Sequence, residues 1–299
     1  MVRRSLLALA SVLALPCAHA CDTPVWQYAM LNWEPEPYIV AYFHAGAEDP
    51  ADAEVNTRLS QAATGPESPA NISFVSIDVA DPSRVLPGYL RAALDAAGDR
   101  PLPYHVVIAP NGKPVRTGRL APRDLDALRD SPARRSLVKL LSDRAQGVLI
   151  VLSGTDADRT RGAEETVRAA IDDARAQGAT TAWMSVDRKS PDEAWLVRAL
   201  LAIEPDLADL TEPMVFGVFG RGYSLPPYVG PGITAENMTE LTLFMNGPCT
   251  CEIKESNEGM DLLTAFDWRA HLEAFVPDAT AQGGPGFQEI PVETLLQGR

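Results

Sequence analysis

Cys249 and Cys251 stand one residue apart in the segment NGPCTCEIKES (residues 246–256) of a chain that holds four cysteines. Thiols at that spacing could form a redox pair, supply part of a metal site, or close a local bridge. In an extended strand their Cα atoms would lie about 6.6 Å apart on one face, at the upper edge of disulfide geometry. A bend at Gly247 and Pro248 would bring them closer. A strained bridge is the labile, oxidising kind that a redox reading needs. Zinc takes four ligands, and two thiolates are half a set. The histidines left to complete it are His44, His105 and His271. The first two fall inside predicted strands, where a satisfied core or edge histidine is the commoner reading. No Cys-x-x-Cys or His-x-x-x-His spacing completes a metal site, and no cofactor motif is legible. Placement favours structure over catalysis: the pair follows a predicted helix, whose C-terminal carbonyls disfavour a thiolate. Glu252 and Glu255 add negative charge that Lys254 offsets in part. The thiols are expected to ionise at or above the free value of about 8.5, with no disulfide reductase activity.

Cys21 sits in a different context. Arg3 and Arg4 precede a short apolar run that ends in Ala18, His19 and Ala20, the pattern of a signal peptide (residues 1–20) with an Ala-x-Ala cleavage site. The run is too short to span a bilayer, and no later segment is long and apolar enough to do so. Cleavage after Ala20 makes Cys21 the first residue, so the mature protein is either a soluble exported protein or a lipoprotein attached to a membrane through Cys21. The residues before Cys21 match a lipobox in part. Lipidation would leave Cys249 and Cys251 as an even pair.

The formal charge is −14, and losing Arg3 and Arg4 makes it −16. That balance argues against nucleic acid and anionic membrane surfaces as partners. The acids are scattered, as solubility alone would leave them. No Gly-x-Ser-x-Gly, phosphate loop or His-Glu-x-x-His occurs, and Gly220-Arg221-Gly222 is too short for dinucleotide binding. Asn71 and Asn237 match the glycosylation pattern and are read as incidental.

The elements that must position these residues are duplicated. Residues 38–46 (YIVAYFHAG) and 147–154 (GVLIVLSG) are apolar runs ending in glycine, both read as buried strands. FVSID at 74–78 answers WMSVD at 183–187. A proline-led strand opens at Pro103 and again at Pro213. Gly46/Gly154, Asp78/Asp187 and Pro103/Pro213 recur in order at nearly one offset. Helices are predicted over residues 51–62, 90–97, 131–141, 162–176, 194–203 and 235–245. Each unit reads βαβα followed by ββα, a mixed sheet with helices on both faces.

That order, with a proline opening the third strand, resembles the thioredoxin fold. The resemblance implies two tandem thioredoxin-like domains, each a three-layer α/β/α unit, at residues 38–145 and 146–255. They follow an N-terminal aromatic helix and linker (21–37) and precede a C-terminal extension and mobile tail (256–299). It also implies that Pro103 and Pro213 are candidate cis-prolines. A working thioredoxin places its nucleophilic cysteine just after the first strand, at a helix N-terminus. Here those places hold Ala47, Glu48, Asp49 and Pro50, and Thr155, Asp156, Ala157 and Asp158, with no cysteine. Glu48, Asp49, Asp156 and Asp158 read as caps and first-turn charges rather than cation ligands. Trp26, Tyr28 and Trp33 are expected to pack the N-terminal helix against the first domain.

Residues 21–38 and 247–254 also resemble segments of an uncharacterised family of exported bacterial proteins, which implies no activity. The expectation is a non-catalytic binding or scaffold protein of the cell envelope with protein partners, its oligomeric state open. A thiol–disulfide enzyme or redox sensor, and a metal carrier, both using Cys249 and Cys251, are the alternatives.

Overall fold

The computed structural model describes residues 23–64, 69–143, 145–247 and 259–273. It begins with α1 (Val25–Asn32), which is followed by β1 (Tyr38–His44). β1 is central in a first sheet of order β2-β1-β3-β4. It runs parallel to β2 (Ile72–Asp78) and antiparallel to β3 (Tyr104–Ile108), and β3 pairs antiparallel with β4 (Pro114–Gly118). Because helices cover both faces of β1, its sequence is a near-continuous apolar run rather than an alternation.

A 3-10 turn at Pro50–Asp52 leads into α2 (Ala53–Thr64), which crosses from β1 to β2, and α3 (Gly88–Ala96) crosses from β2 to β3. Alternate strand positions sort by face. Tyr38, Val40 and Val107 join a cluster with Val55 and Leu59 of α2 and Leu125 and Leu128 of α4 (Pro122–Arg129). Ala41, Phe43, Val106 and Ile108 join Leu90 and Ala93 of α3.

The second sheet repeats the plan. β5 (Gly147–Leu152), α6 (Ala157–Ala176) and β6 (Thr181–Val186) form a parallel crossover, and α7 (Ala194–Leu201) leads to β7 (Met214–Phe219), antiparallel to β5. The strand after β7 is split into β8 (Tyr223–Ser224) and β9 (Tyr228–Val229), which pair with the end and the start of β7. Pro226 and Pro227 lie between them and have no N–H to give the ladder. After α8 (Ala235–Asn246), β10 (Met260–Asp261) adds an edge strand on β8, and α9 (Trp268–Glu273) follows. Sheets and helices thus form a mixed α/β architecture, consistent with thioredoxin-like units. Among the described residues no helix is long and apolar enough to cross a membrane.

The strand register places two of the three repeated landmarks in correspondence. Tyr42 pairs with Ser76 and with His105; Val151 pairs with Ser185 and with Val215. Asp78 and Asp187 therefore lie two residues beyond equivalent serines, and Pro103 and Pro213 two residues before an equivalent pair. Gly46 and Gly154 do not correspond. They are one position out of step and serve different ends. Gly46 has φ +73° in open space. Gly154 lets the chain pass the 211–213 segment, where a Cβ would lie 2.7 Å from Pro213 N.

Three placements differ from expectation. The aromatic helix α1 packs on the second sheet, not the first. Trp33 meets Tyr223 and Phe219 with ring centroids at 5.3 and 5.8 Å, and Val25 and Ala29 enter the cluster of α6 and α8. Arg221, on the β7–β8 turn, draws the helix there: its guanidinium donates to the carbonyls of Met30 (2.8 Å) and Leu31 (3.1 Å) at the helix C-terminus and pairs with Glu34 (2.8 Å). The helix anticipated at 131–141 is α5 (Pro132–Ser142), but it contacts β5 and β6, while α4, which the sequence pattern had not suggested, lies against α2. The part of the C-terminal extension over residues 259–273 is built into both sheets. β10 sits on β8, and Ala265 bridges Ala70 beside β2. Asn71 is the bracket between them: it accepts from Thr264 N (2.9 Å) and donates to the carbonyls of Glu36 (2.9 Å) and Leu262 (3.3 Å). The rest of the anticipated C-terminal extension and tail, from residue 274 on, lies outside the described residues.

Candidate functional site

The face of the first sheet that α2 covers is apolar at Tyr38 and Val40 and becomes polar at the C-terminal end of β1. Strand periodicity puts Tyr42 and His44 on that face, and pairing adds Ser76 and Asp78 from β2 and His105 from β3. The β1–α2 connection brings Glu48, Asp49 and Asp52; α2 brings Asn56, and the residue after β4 is Arg119. These groups form two linked networks.

In the first, the buried Tyr42 hydroxyl donates to Asp52 Oδ2 (2.8 Å) and accepts from Asp49 N (3.3 Å). Arg119 donates to Asp52 through Nε (3.2 Å) and Nη2 (2.7 Å), and Nη2 also meets Asp49. Burial, then the bond to Asp52, pushes the Tyr42 phenol up to about 12. The two carboxylates raise Arg119 above its ordinary value. Asp49 is held below the usual carboxylate range first by the Ala51 N–H it accepts, then by Arg119. Asp49 thus caps the turn at Pro50–Asp52.

The second network runs through the histidines. Leu120 N donates to His105 Nδ1 (3.2 Å), so the ring proton is on Nε2 and is given to Asn56 Oδ1 (3.0 Å). His105 is fully buried, and desolvation lowers its pKa from 6.5 to about 4. Asn56 donates to Glu48 Oε2 (3.2 Å), and the Ser76 hydroxyl lies against Glu48 Oε1 and 3.0 Å from His44 Nε2. His44 Nδ1 donates to the Gly46 carbonyl (2.8 Å). The Ser76 hydroxyl donates to Glu48 and lies within hydrogen-bond distance of the His44 ring, so it links the two. This is a short chain of hydrogen bonds between a buried ring and an exposed carboxyl, closed at one end by a carbonyl and at the other by Asn56. Asp78 ties the loop down, accepting from Gly46 N and Ala80 N (2.9 Å each), which hold it below the usual range.

The second sheet lacks this cluster. At the register positions of Tyr42, His44 and His105 stand Val151, Ser153 and Val215. Asp187 keeps the loop-tying part of Asp78's role, accepting from Lys189 N (2.9 Å) and Ser153 Oγ (3.3 Å). Asp156 caps α6 through Asp158 N (2.8 Å) and Arg159 N (3.1 Å).

A second polar centre joins the two sheets. Glu193, before α7, is 6% exposed and accepts from Ser131 Oγ (2.6 Å) and Ala133 N (2.8 Å) at the N-terminus of α5. Arg134 is buried beside it, donating to Ser131 Oγ (3.2 Å) and to the carbonyls of Leu128 and Ala127. Desolvation brings this arginine down to about 10, against the pull of Glu193. Asn111 and Lys113 of the β3–β4 turn reach the carbonyls of Ala202 (2.7 Å) and Ile203 (3.2 Å), just past the end of α7. Trp195 is flanked by Arg116 and Arg198 at 5.4 and 5.5 Å.

Of the residues singled out from sequence, Cys21, Cys249 and Cys251 lie outside the described residues. The Leu102–Pro103 bond is cis, the one cis bond among the described residues. Pro213 is not preceded by a cis bond; its carbonyl accepts from Gly230 N (2.9 Å), and its nitrogen lies against Gly154. No group of three or more metal-ligating side chains occurs among the described residues. Asn71 and Asn237 spend their amides internally, the latter on the Gly232 carbonyl (2.8 Å). Tyr42, Asn56, Ser76, Arg119 and Glu193 were missed by sequence reasoning. The one signal was polar residues at alternate positions, Tyr42 and His44, in an otherwise apolar strand.

No family model matches the sequence, and no curated protein matches it. Among solved structures, the first two thioredoxin domains of Saccharomyces cerevisiae Eps1p are similar at 13% identity and a TM-score of 0.24, over 69% of this chain and 91% of that one.

Proposed function

We propose that this chain is an exported, non-catalytic binding protein built from two tandem, redox-inactive thioredoxin-like domains, with a protein of the cell envelope as its partner. One observation carries the reading: at the end of β1, where a working thioredoxin keeps its dithiol, the acids and histidines are bonded to one another. Arg119 neutralises Asp49 and Asp52, and Asn56 and Ser76 occupy both oxygens of Glu48. An active site needs an acid, base or nucleophile turned toward a substrate; this cluster spends its groups internally. The tandem division is supported by strand orders β2-β1-β3-β4 and β6-β5-β7-β8 and by the matching registers at Asp78/Asp187 and Pro103/Pro213. Export rests on Arg3, Arg4 and the Ala18–Ala20 cleavage pattern.

The test combines chemistry and capture. The mature protein should fail to turn over a disulfide substrate, and alkylation of Cys249 and Cys251 should titrate at or above about 8.5. A pull-down from envelope extract should recover the same partner with wild type and with a Cys249→Ser, Cys251→Ser variant. Turnover, with a thiol midpoint below about 7, would replace this reading with dithiol chemistry.

A further inference from the structure

A cleft of about 290 Å³ lies between α5 and the strand-like segment at Ala265 and Phe266, remote in sequence from the polar cluster at the end of β1. Arg129, Arg134, Arg135 and Lys139 line it, with Val138 and Phe266 as apolar wall. Four cations around one cleft are out of keeping with a chain of net charge −14. Asp130 is the carboxylate in the lining.

The four are not equally committed. Arg134 is 3% exposed and held by Ser131 and two carbonyls, so it is a fixed positive charge in the wall. Arg135 pairs with Asp130 and Lys139 with Asp143, but both pairs are well exposed. Such pairs are weak in water and exchange readily for another anion. Arg129 is exposed and has no partner among the described residues. Phe266 is fixed by edge contacts to Trp268 (4.6 Å) and His271 (5.5 Å), which gives the apolar side a rigid ring. Small-ligand sites combine an apolar wall with a few placed polar groups, and this volume lies just below their range of about 300–1,000 Å³, the size for a small ligand.

We propose that this cleft binds a small organic anion, a carboxylate or phosphate attached to an apolar or aromatic group. The anionic oxygens sit among Arg129, Arg135 and Lys139, where guanidinium forks can bind them in pairs, and the apolar part lies on Val138 and Phe266. The fixed charge of Arg134 adds attraction without reorganising. The site goes beyond the binding role assigned above, which names a protein partner and no small-molecule ligand.

Calorimetric titration of the mature protein with benzoate and with phenyl phosphate at low salt tests this. Saturable binding of at least one probe is expected, with a dissociation constant at or below about 1 mM. An Arg129→Gln, Lys139→Gln variant changes two exposed side chains and should keep the wild-type melting temperature while weakening the probe at least about tenfold. Arg91→Gln, an exposed cation on α3, should leave binding unchanged. The relative affinity of the two probes separates carboxylate from phosphate as the preferred group. Inorganic phosphate should bind more weakly than phenyl phosphate. No saturable binding of either probe, equal binding to the double variant, or inorganic phosphate binding as tightly as phenyl phosphate would overturn the proposal.

Discussion

Tyr42 and His105 face each other across the β1–β3 ladder with ring centroids 4.8 Å apart, each buried and each bonded through its polar atom. Val151 and Val215 occupy the corresponding pair in the second sheet. The two sheets thus share a register and differ in chemistry at one end of it. A valine pair there needs burial alone. The Tyr42–His105 pair obliges the protein to supply Asp52, Asn56 and the Leu120 N–H, because a buried polar atom without a partner is costly.

Acid titration should expose that obligation. His105 has a folded pKa of about 4 against 6.5 unfolded. Between those values the unfolded chain binds a proton at this residue and the native protein does not. Stability therefore falls as pH drops from about 6.5 to about 4 and levels off below, a loss of roughly 3 kcal/mol from this residue. Asp49, Asp78 and Asp156, held below the usual carboxylate range, act in a different window: their contribution is full above the unfolded value of 3.8 and is lost as pH falls further. Guanidinium unfolding measured from neutral pH to about pH 4.5 should show a positive slope with pH in the wild type and a shallower one in His105→Gln. Equal slopes would mean that His105 is not the group that titrates.

Much of this fold could be read from the chain. Continuous apolar runs at 38–44 and 147–152 are strands because helices cover both their faces, and the helix periodicity of residues 162–176 survives inside the longer α6. What escaped were features set by contacts between distant residues. The helix α1 lies on the second sheet because Arg221, about 190 positions later, caps its last carbonyls. The candidate site was half legible: His44 and His105 were placed in strands as satisfied histidines, and Asp49 and Asp156 as caps. Their partners Asn56, Ser76 and Arg119 come from three other elements, and a single sequence carries no mark that they converge.

The two repeat glycines make a direct comparison of backbone freedom with close packing. Gly46 needs its positive φ of +73° but has nothing within 4 Å of an added Cβ, so Gly46→Ala should cost about 1 kcal/mol from backbone strain. Gly154 has no such dihedral, yet its Cβ would meet Pro213 N at 2.7 Å and Thr211 O at 2.8 Å, backbone that cannot swing aside. Gly154→Ala should cost more, about 2–3 kcal/mol, by forcing β5 away from the 211–213 segment. Denaturation midpoints of the two variants at equal m-value decide the order, and a Gly46→Ala loss at least as large as that of Gly154→Ala would contradict it.

Glu193 provides the sharpest test of how the two sheets are held together. Its carboxylate closes the N-terminus of α5 from the base of α7, where it satisfies Ser131 and Ala133 and stands near the buried Arg134. Replacement by alanine removes the cap and leaves the arginine's charge without its nearby buried counter-charge, so Glu193→Ala should cost about 3 kcal/mol. Glu193→Gln keeps the shape and an acceptor oxygen but loses the charge, and should cost less, about 1–2 kcal/mol. Trp195, two residues on and stacked between Arg116 and Arg198, reports on the seam. Its fluorescence should change in the alanine variant before unfolding begins, because α5 and α7 are no longer pinned to each other. If both variants unfold within about 0.5 kcal/mol of wild type, as ordinary surface substitutions do, the apolar cluster shared by the two sheets holds the seam without this buried charge.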